Sequence, residues 1–157
     1  MSHGTRSLEH GAAGRTAVLT RLGKKEKFAV PRVEDWKKVA KKIAAQLEPG
    51  SILGVAGPLG AGKTTFIQAL AQALGVTRRP QSPTFALLRS YALKRELRGI
   101  KRLVHVDAYR IESPHELLAL DLDEELSDGR SILVIEWPEK IESWLKKKSE
   151  VGYITIK

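Results

Sequence analysis

Cysteine is absent from the 157 residues. That excludes a disulfide framework and any thiolate-bound metal, and it accords with a reducing, cytoplasmic setting. Long apolar runs are missing too: no stretch approaches the ~20 residues that a membrane-spanning helix needs. The opening MSHGTRSLEHGAAGR has no continuous apolar core, so it does not read as a secretory signal. It is small, polar and rich in Gly and Ala. Residues 1–27 are expected to form a flexible leader, followed by a single domain over 28–157. No internal repeat is visible. Acids are scarce against bases: 18 Asp and Glu face 27 Lys and Arg, a net charge of +9. The excess lies partly in Arg89 to Arg102 and partly in Lys146-Lys147-Lys148. Such a balance suits an anionic partner, and tRNA contact through the basic surface is one reading. A solvated basic face is the other, since no RNA-recognition motif accompanies the charge. No N-K-x-D segment is present to select guanine.

What the chain does have is GVAGPLGAGKTTF, residues 54 to 66. Gly57, Gly60, Gly62, Lys63 and Thr64 fit the spacing G-x-x-x-x-G-K-[ST] of a phosphate-binding P-loop. Glycines let the backbone curl until successive N–H groups point inward at an anion. Lys63 adds a point charge for the β- and γ-phosphates, and the Thr64 hydroxyl suits Mg²⁺. The flanks agree. Ser51 to Ala56 reads as a buried strand, and Phe66, Ile67, Leu70, Ala71 and Leu74 follow at helical spacing, with Gly75 as a stop.

Elsewhere the pattern alternates. Residues 15 to 22 form either an early strand or a disordered arm. Glu34 to Leu47 places Trp36, Val39, Ile43 and Leu47 on one helical face. Trp36 reads as a packing residue, or as part of an adenine pocket. FALLRSYAL, from Phe85, reads as a strand, and residues 94 to 102 as a hairpin-like return at the sheet margin. Leu103 to Asp107 and Ile132 to Glu136 are strands that each end in an acid. Ser113 caps a helix carrying Leu117, Leu118 and Leu120. Asp121 to Gly129 reads as an acidic connection, Pro138 to Leu145 as a short helix, and Val151 to Ile156 as a last strand. The expected fold is α/β: a P-loop NTPase-like three-layer sandwich with a mostly parallel central sheet and antiparallel edge strands. Ligands in such sheets sit beyond the carboxyl ends of the strands, where the P-loop, Asp107 and Glu136 would meet.

Either acid could hold Mg²⁺ or place a water; either could instead cap a loop or pair with Arg110. Thr84, in a loop before an apolar strand, sits where nucleotide switches sense the γ-phosphate. His105 alternates with Val104 and Val106 and reads as a packed, hydrogen-bonded histidine more readily than a catalytic one. His115 lies only near a helix start.

Taken together and in this order, GPLGAGKTTF, SPTF, HVDAYR and IEWPEK resemble the bacterial TsaE (YjeE) family, over roughly residues 34 to 157. The resemblance implies a small P-loop ATPase needed for threonylcarbamoyladenosine modification of tRNA. It implies ATP and Mg²⁺ as cofactors and TsaD and TsaB as partners, with ATP turnover resetting their complex between cycles. It implies that Leu59, Gly60, Ala61, Gly62, Lys63, Thr64 and Thr65 wrap the phosphates and that Trp137 lies near the nucleotide. Thr64 and Glu136 would ligate Mg²⁺, Asp107 would be needed for hydrolysis, and Thr84 would take a switch-like position. Pro58 departs from the family, which usually has Asp there. Two other P-loop classes compete. A small-molecule kinase would need an Arg-rich lid, which residues 94 to 102 could imitate. A GTPase-like switch would need a guanine-selecting segment.

Overall fold

The computed structural model describes residues 14–80 and 87–157. Its strands are β1 (Arg15–Arg21), β2 (Lys24–Val30), β3 (Ile52–Ala56), β4 (Leu88–Leu97), β5 (Ile100–Asp107), β6 (Ser131–Glu136) and β7 (Gly152–Ile156). They form one sheet in the order β2-β1-β7-β3-β6-β5-β4. The pairs β3–β6, β5–β6 and β3–β7 are parallel, whereas β1–β2, β1–β7 and β4–β5 are antiparallel. Burial explains the order. Every residue of β6 is buried, as are the first four of β3. Strands that are apolar on both faces need a layer on each side and so take the middle of the sheet.

Helices α1 (Trp36–Ala44) and α2 (Lys63–Leu74) cover one face. Trp36, Val39, Ile43, Phe66, Ile67 and Leu70 pack there against Leu53, Val55, Ile132 and Val134. The other face carries the short helices α3 (Pro114–Leu120), α4 (Leu122–Leu126) and α5 (Glu142–Leu145). Ile111, Leu122, Ile141 and Leu145 seal Val104, Val106, Leu133 and Ile135 on that side. This is the expected three-layer α/β sandwich with antiparallel edges. Ser113 caps α3 as expected, its Oγ accepting from the Glu116 N–H at 3.3 Å, with Pro114 in the first turn.

Two expectations need correction. Residues 15–27 do not belong to a leader: β1 and β2 form a hairpin that joins the sheet through β7. The sequence hides β2 because Lys24, Lys25, Glu26 and Lys27 are all exposed and carry no apolar alternation. Charged side chains there suit an edge strand, which they protect from further pairing. Second, the acidic connection 121–129 contains α4, which is anchored by the buried Leu122. The basic return at 94–102 is, as expected, a hairpin at the sheet margin and not a lid. It is a two-residue hairpin turn at Arg98 and Gly99, both in the left-handed region. The Arg98 guanidinium donates to the Ala44 and Leu47 carbonyls at 2.6 and 2.8 Å. Those carbonyls lie where the chain enters β3, at the end of that strand away from the glycine-rich loop.

Candidate functional site

Three adjacent parallel strands set the site. The loop 57–62 leaves the end of β3, Glu136 ends β6 and Asp107 ends β5. In the sheet register Val55 lies beside Glu136, and Glu136 beside Asp107. Glu136 and Asp107 therefore stand in one row across the strand ends. On β6, Glu136 shares the face of Ile132 and Val134, the side covered by α2. A cavity of 370 Å³ opens here, lined by Leu59, Gly60, Gly62, Lys63, Thr64 and Thr65 from the loop and helix start, and by Asp107, Tyr109, Glu136 and Trp137 from the strand ends.

The loop needs its glycines for geometric reasons. Gly62, the N-cap of α2, has φ 105°, and a Cβ there would also meet the Trp36 ring at 3.4 Å. Its carbonyl accepts from the Phe66 N–H at 2.9 Å, starting the helix directly behind the loop. The positive end of the helix thus faces the cavity. Ala61 does not line the cavity. It is buried beneath the loop, within van der Waals reach of Gly57.

Lys63 is buried, and its ammonium donates to the Gly57 and Pro58 carbonyls at 2.5 and 2.8 Å. It also lies 4.1 Å from the centre of the Trp137 ring. Burial lowers its pKa below 10.5, and the carboxylates of Glu136, Glu139 and Asp107 oppose that without overcoming it. Pro58 contributes a carbonyl rather than an N–H here, a role that proline fills as well as aspartate does. The Asp107 carboxylate accepts from the Tyr109 N–H at 3.1 Å and so caps the 3₁₀ turn 108–110. Capping and lining the cavity are compatible, because that turn forms the cavity's rim. Glu136 is 3% exposed and its Oε2 lies 2.8 Å from His105 Nε2.

Trp137 takes a left-handed backbone conformation, φ 59°, and its N–H donates to the Val55 carbonyl at 3.3 Å. That turn swings the indole away from the strand and over Lys63. Tyr109 packs on it, ring centres 4.9 Å apart. Tyr109 was not singled out in the sequence; its signal was its place two residues beyond Asp107. Thr84 lies outside the described residues. Trp36 is buried against Phe66, 5.6 Å between ring centres, as a packing residue would be. It also borders a second cavity, 630 Å³, between α1 and α2. Thr65 lines both cavities.

The donors facing the 370 Å³ cavity are the Thr64 hydroxyl and the Asp107 and Glu136 carboxylates, with Lys63 as the facing cation. This hard-oxygen set fits Mg²⁺, which keeps water and phosphate oxygens for the rest of its shell. Among the described residues no three His, Cys, Asp or Glu side chains converge as a self-sufficient metal cage. Two carboxylates would repel a bound polyphosphate unless a divalent cation stood between them.

A glycine-rich loop between a buried parallel strand and a helix, with acids on the two neighbouring strand ends, defines a P-loop-type α/β protein. Comparison with known proteins narrows this further. The family model for the threonylcarbamoyl adenosine biosynthesis protein TsaE matches residues 30–157. The tRNA threonylcarbamoyladenosine biosynthesis protein TsaE of Bacillus subtilis (strain 168) is 38% identical over 125 residues, covering 80% of this chain and 74% of that protein. The protein of the same name from Aquifex aeolicus is 38% identical over 109 residues, covering 68% and 72%. A crystal structure of Bacillus subtilis YdiB superposes with a TM-score of 0.53 at 31% identity, over 81% of this chain and 68% of that one. The chain belongs to the TsaE family, and so to the proteins of tRNA threonylcarbamoyladenosine biosynthesis.

Proposed function

We propose that this chain binds and hydrolyses ATP with Mg²⁺, and that it does so as a subunit acting with TsaB and TsaD to sustain threonylcarbamoyladenosine modification of tRNA. The observation that carries the reading is the convergence of the glycine-rich loop, Asp107 and Glu136 on one cavity. Backbone N–H groups of Leu59 to Thr65 would receive the phosphates. Lys63 would exchange its contacts with the loop carbonyls for phosphate oxygens, which compensate its burial better than neutral carbonyls do. Thr64 and Glu136 would hold the metal, which screens the phosphate charge when bound. Asp107, held by the Tyr109 N–H, would orient the attacking water. Trp137 would border the nucleotide, and Thr84 would sense the γ-phosphate. The nucleoside end would leave through Thr65 toward the 630 Å³ cavity beside Trp36.

A basic surface for tRNA belongs to the same reading. Arg78, Arg79 and Arg89 line one 450 Å³ hollow beside β4 without a carboxylate among its walls. No helix among the described residues is long and apolar enough to cross a membrane, and a cytoplasmic setting is the one the proposed partners require.

The deciding experiment is ATP hydrolysis measured alone, then with TsaB and TsaD, then with tRNA added. Slow turnover that rises with the partners supports the proposal. Rapid phosphoryl transfer to a small metabolite without partners would replace it with the kinase reading, although residues 94–102 form a hairpin rather than the lid that reading would use.

A further inference from the structure

His105 and Glu136 form a buried side-chain pair between neighbouring strands. Nε2 and Oε2 are 2.8 Å apart, and the side chains are 1% and 5% exposed. The geometry is diagonal. His105 pairs in register with Val134, so the imidazole sits two rows below Asp107 and Glu136, on the same face of the sheet. It therefore meets Glu136 from beneath the cavity floor, and it is not among the residues that line the cavity. Its other nitrogen, Nδ1, is buried with no hydrogen-bond partner among the described residues. A histidine kept only for packing gains nothing from that arrangement, since an apolar side chain would fill the space without stranding a polar atom.

We propose that His105 is a positioning residue for the metal-facing carboxylate of Glu136, an inference that rests on reading Glu136 as a Mg²⁺ ligand. A carboxylate oxygen accepts, so Nε2 carries the hydrogen and donates it to Oε2. That bond fixes the carboxylate's rotation and commits one oxygen to the protein. The other, Oε1, is left for the cation. Partners behind a metal ligand act in this way, holding its orientation and narrowing the geometries it can offer. An Nδ1 without a partner among the described residues is then the cost of using imidazole, whose length spans the diagonal from β5 to β6 in a way that a shorter amide cannot.

The test is calorimetric ATP binding to the full chain as Mg²⁺ is titrated, with ATP binding in EDTA as the control. His105→Leu is expected to raise the half-saturating Mg²⁺ concentration by about 10- to 100-fold while leaving metal-free ATP binding unchanged. His105→Gln, whose amide N–H can reach the position of Nε2, is expected to recover most of that loss, and His105→Asn, which is shorter, is not. Should the leucine variant fail to fold, the glutamine and asparagine pair decides: equal Mg²⁺ requirements in the two overturn the proposal. So does a folded leucine variant with the wild-type Mg²⁺ requirement, or one that loses metal-free ATP binding in parallel. Glu136→Ala separates the two levels. If it leaves the Mg²⁺ requirement unchanged, the metal reading itself fails and the inference falls with it. If it raises the requirement while His105→Leu does not, only the positioning role is refuted.

Discussion

Gly54, in the middle of β3, carries the most exposed test of how the fold holds the site. It has ordinary strand geometry, so its need for glycine is spatial. A Cβ there would stand 2.8 Å from Tyr153 Cδ1 and 3.0 Å from both Cβ and Cγ of Pro138. Tyr153 is its register partner on β7 and is half-buried, so that ring has some room to swing. Pro138 has little. It is buried, and its ring is fused to the turn that begins at Trp137. The methyl of Gly54→Ala must therefore push that turn by roughly half an ångström or more to restore ordinary contact. Overpacking of this kind costs about 1–3 kcal/mol. For a domain of this size each kcal/mol lowers the melting temperature by about 2–4 °C, so a fall of roughly 2–12 °C is expected. The displaced turn carries Trp137 and adjoins Glu136, so nucleotide affinity should weaken as well, by about tenfold for a loss near 1.4 kcal/mol. Thermal denaturation followed by circular dichroism, with calorimetric ATP binding, measures both. A variant that melts within 1 °C of wild type, by the same scale, would show that Pro138 does not brace β3.

Other perturbations separate binding from turnover. Lys63→Ala should weaken ATP binding by about 100- to 1000-fold, from a charge–charge interaction of about 4 kcal/mol at an effective dielectric near 20; calorimetry measures it, and an affinity within threefold of wild type would move the phosphates elsewhere. Asp107→Ala should spare ATP affinity while lowering partner-stimulated turnover by about 100-fold or more, read by phosphate release against binding. At acid pH, Asp128 provides a test remote from the cavity. Its pKa lies below 3.8, chiefly through the Arg130 backbone N–H, with Ser131 and Arg102 adding to it. The unfolded chain binds that proton first. Stability from Asp128 is therefore complete above pH 3.8 and is lost as pH falls through the lower folded value. Denaturant melts of Asp128→Asn should show a shallower acid loss than wild type across that window.

The central strands were legible because they are apolar without alternation and end in chemistry. Ile132 to Ile135 has no polar residue, and such a run has nowhere to go but a sheet covered on both faces. The β2 edge was not legible. In β2, Lys24 to Lys27 contributes no buried side chain, and its place in the sheet comes from backbone pairing with β1 and from Phe28 and Val30 at its far end. Periodicity cannot report a strand that is held by its main chain. The turn at Arg98 and Gly99 reads as a hairpin-like return in the sequence, and the structure agrees. Charge marks it as exposed, but only the register of β4 against β5 shows which end of the sheet it occupies.

The site divides along the same line. Glycine spacing, a lysine and acids at strand ends are local signals, and they point to Gly60, Gly62, Lys63, Thr64, Asp107 and Glu136, which line one cavity; Leu59, Thr65 and Trp137, which line it too, were implied only by the family resemblance. What the sequence could not give is which side chains meet across strands. His105 reads as a packed histidine because alternation assigns it a face and nothing more; its partner follows from the parallel register that sets β5 beside β6. Gly54 reads as one small residue in an apolar run because Tyr153 and Pro138 lie about 100 and 84 positions away in the chain. Ala61 shows the converse. Its place inside the motif made it a phosphate-binding candidate, yet its side chain faces the core beneath Gly57 and only its backbone can serve a ligand. A motif names the backbone path that an anion needs, whereas the surroundings that hold the path in shape are a property of the sheet.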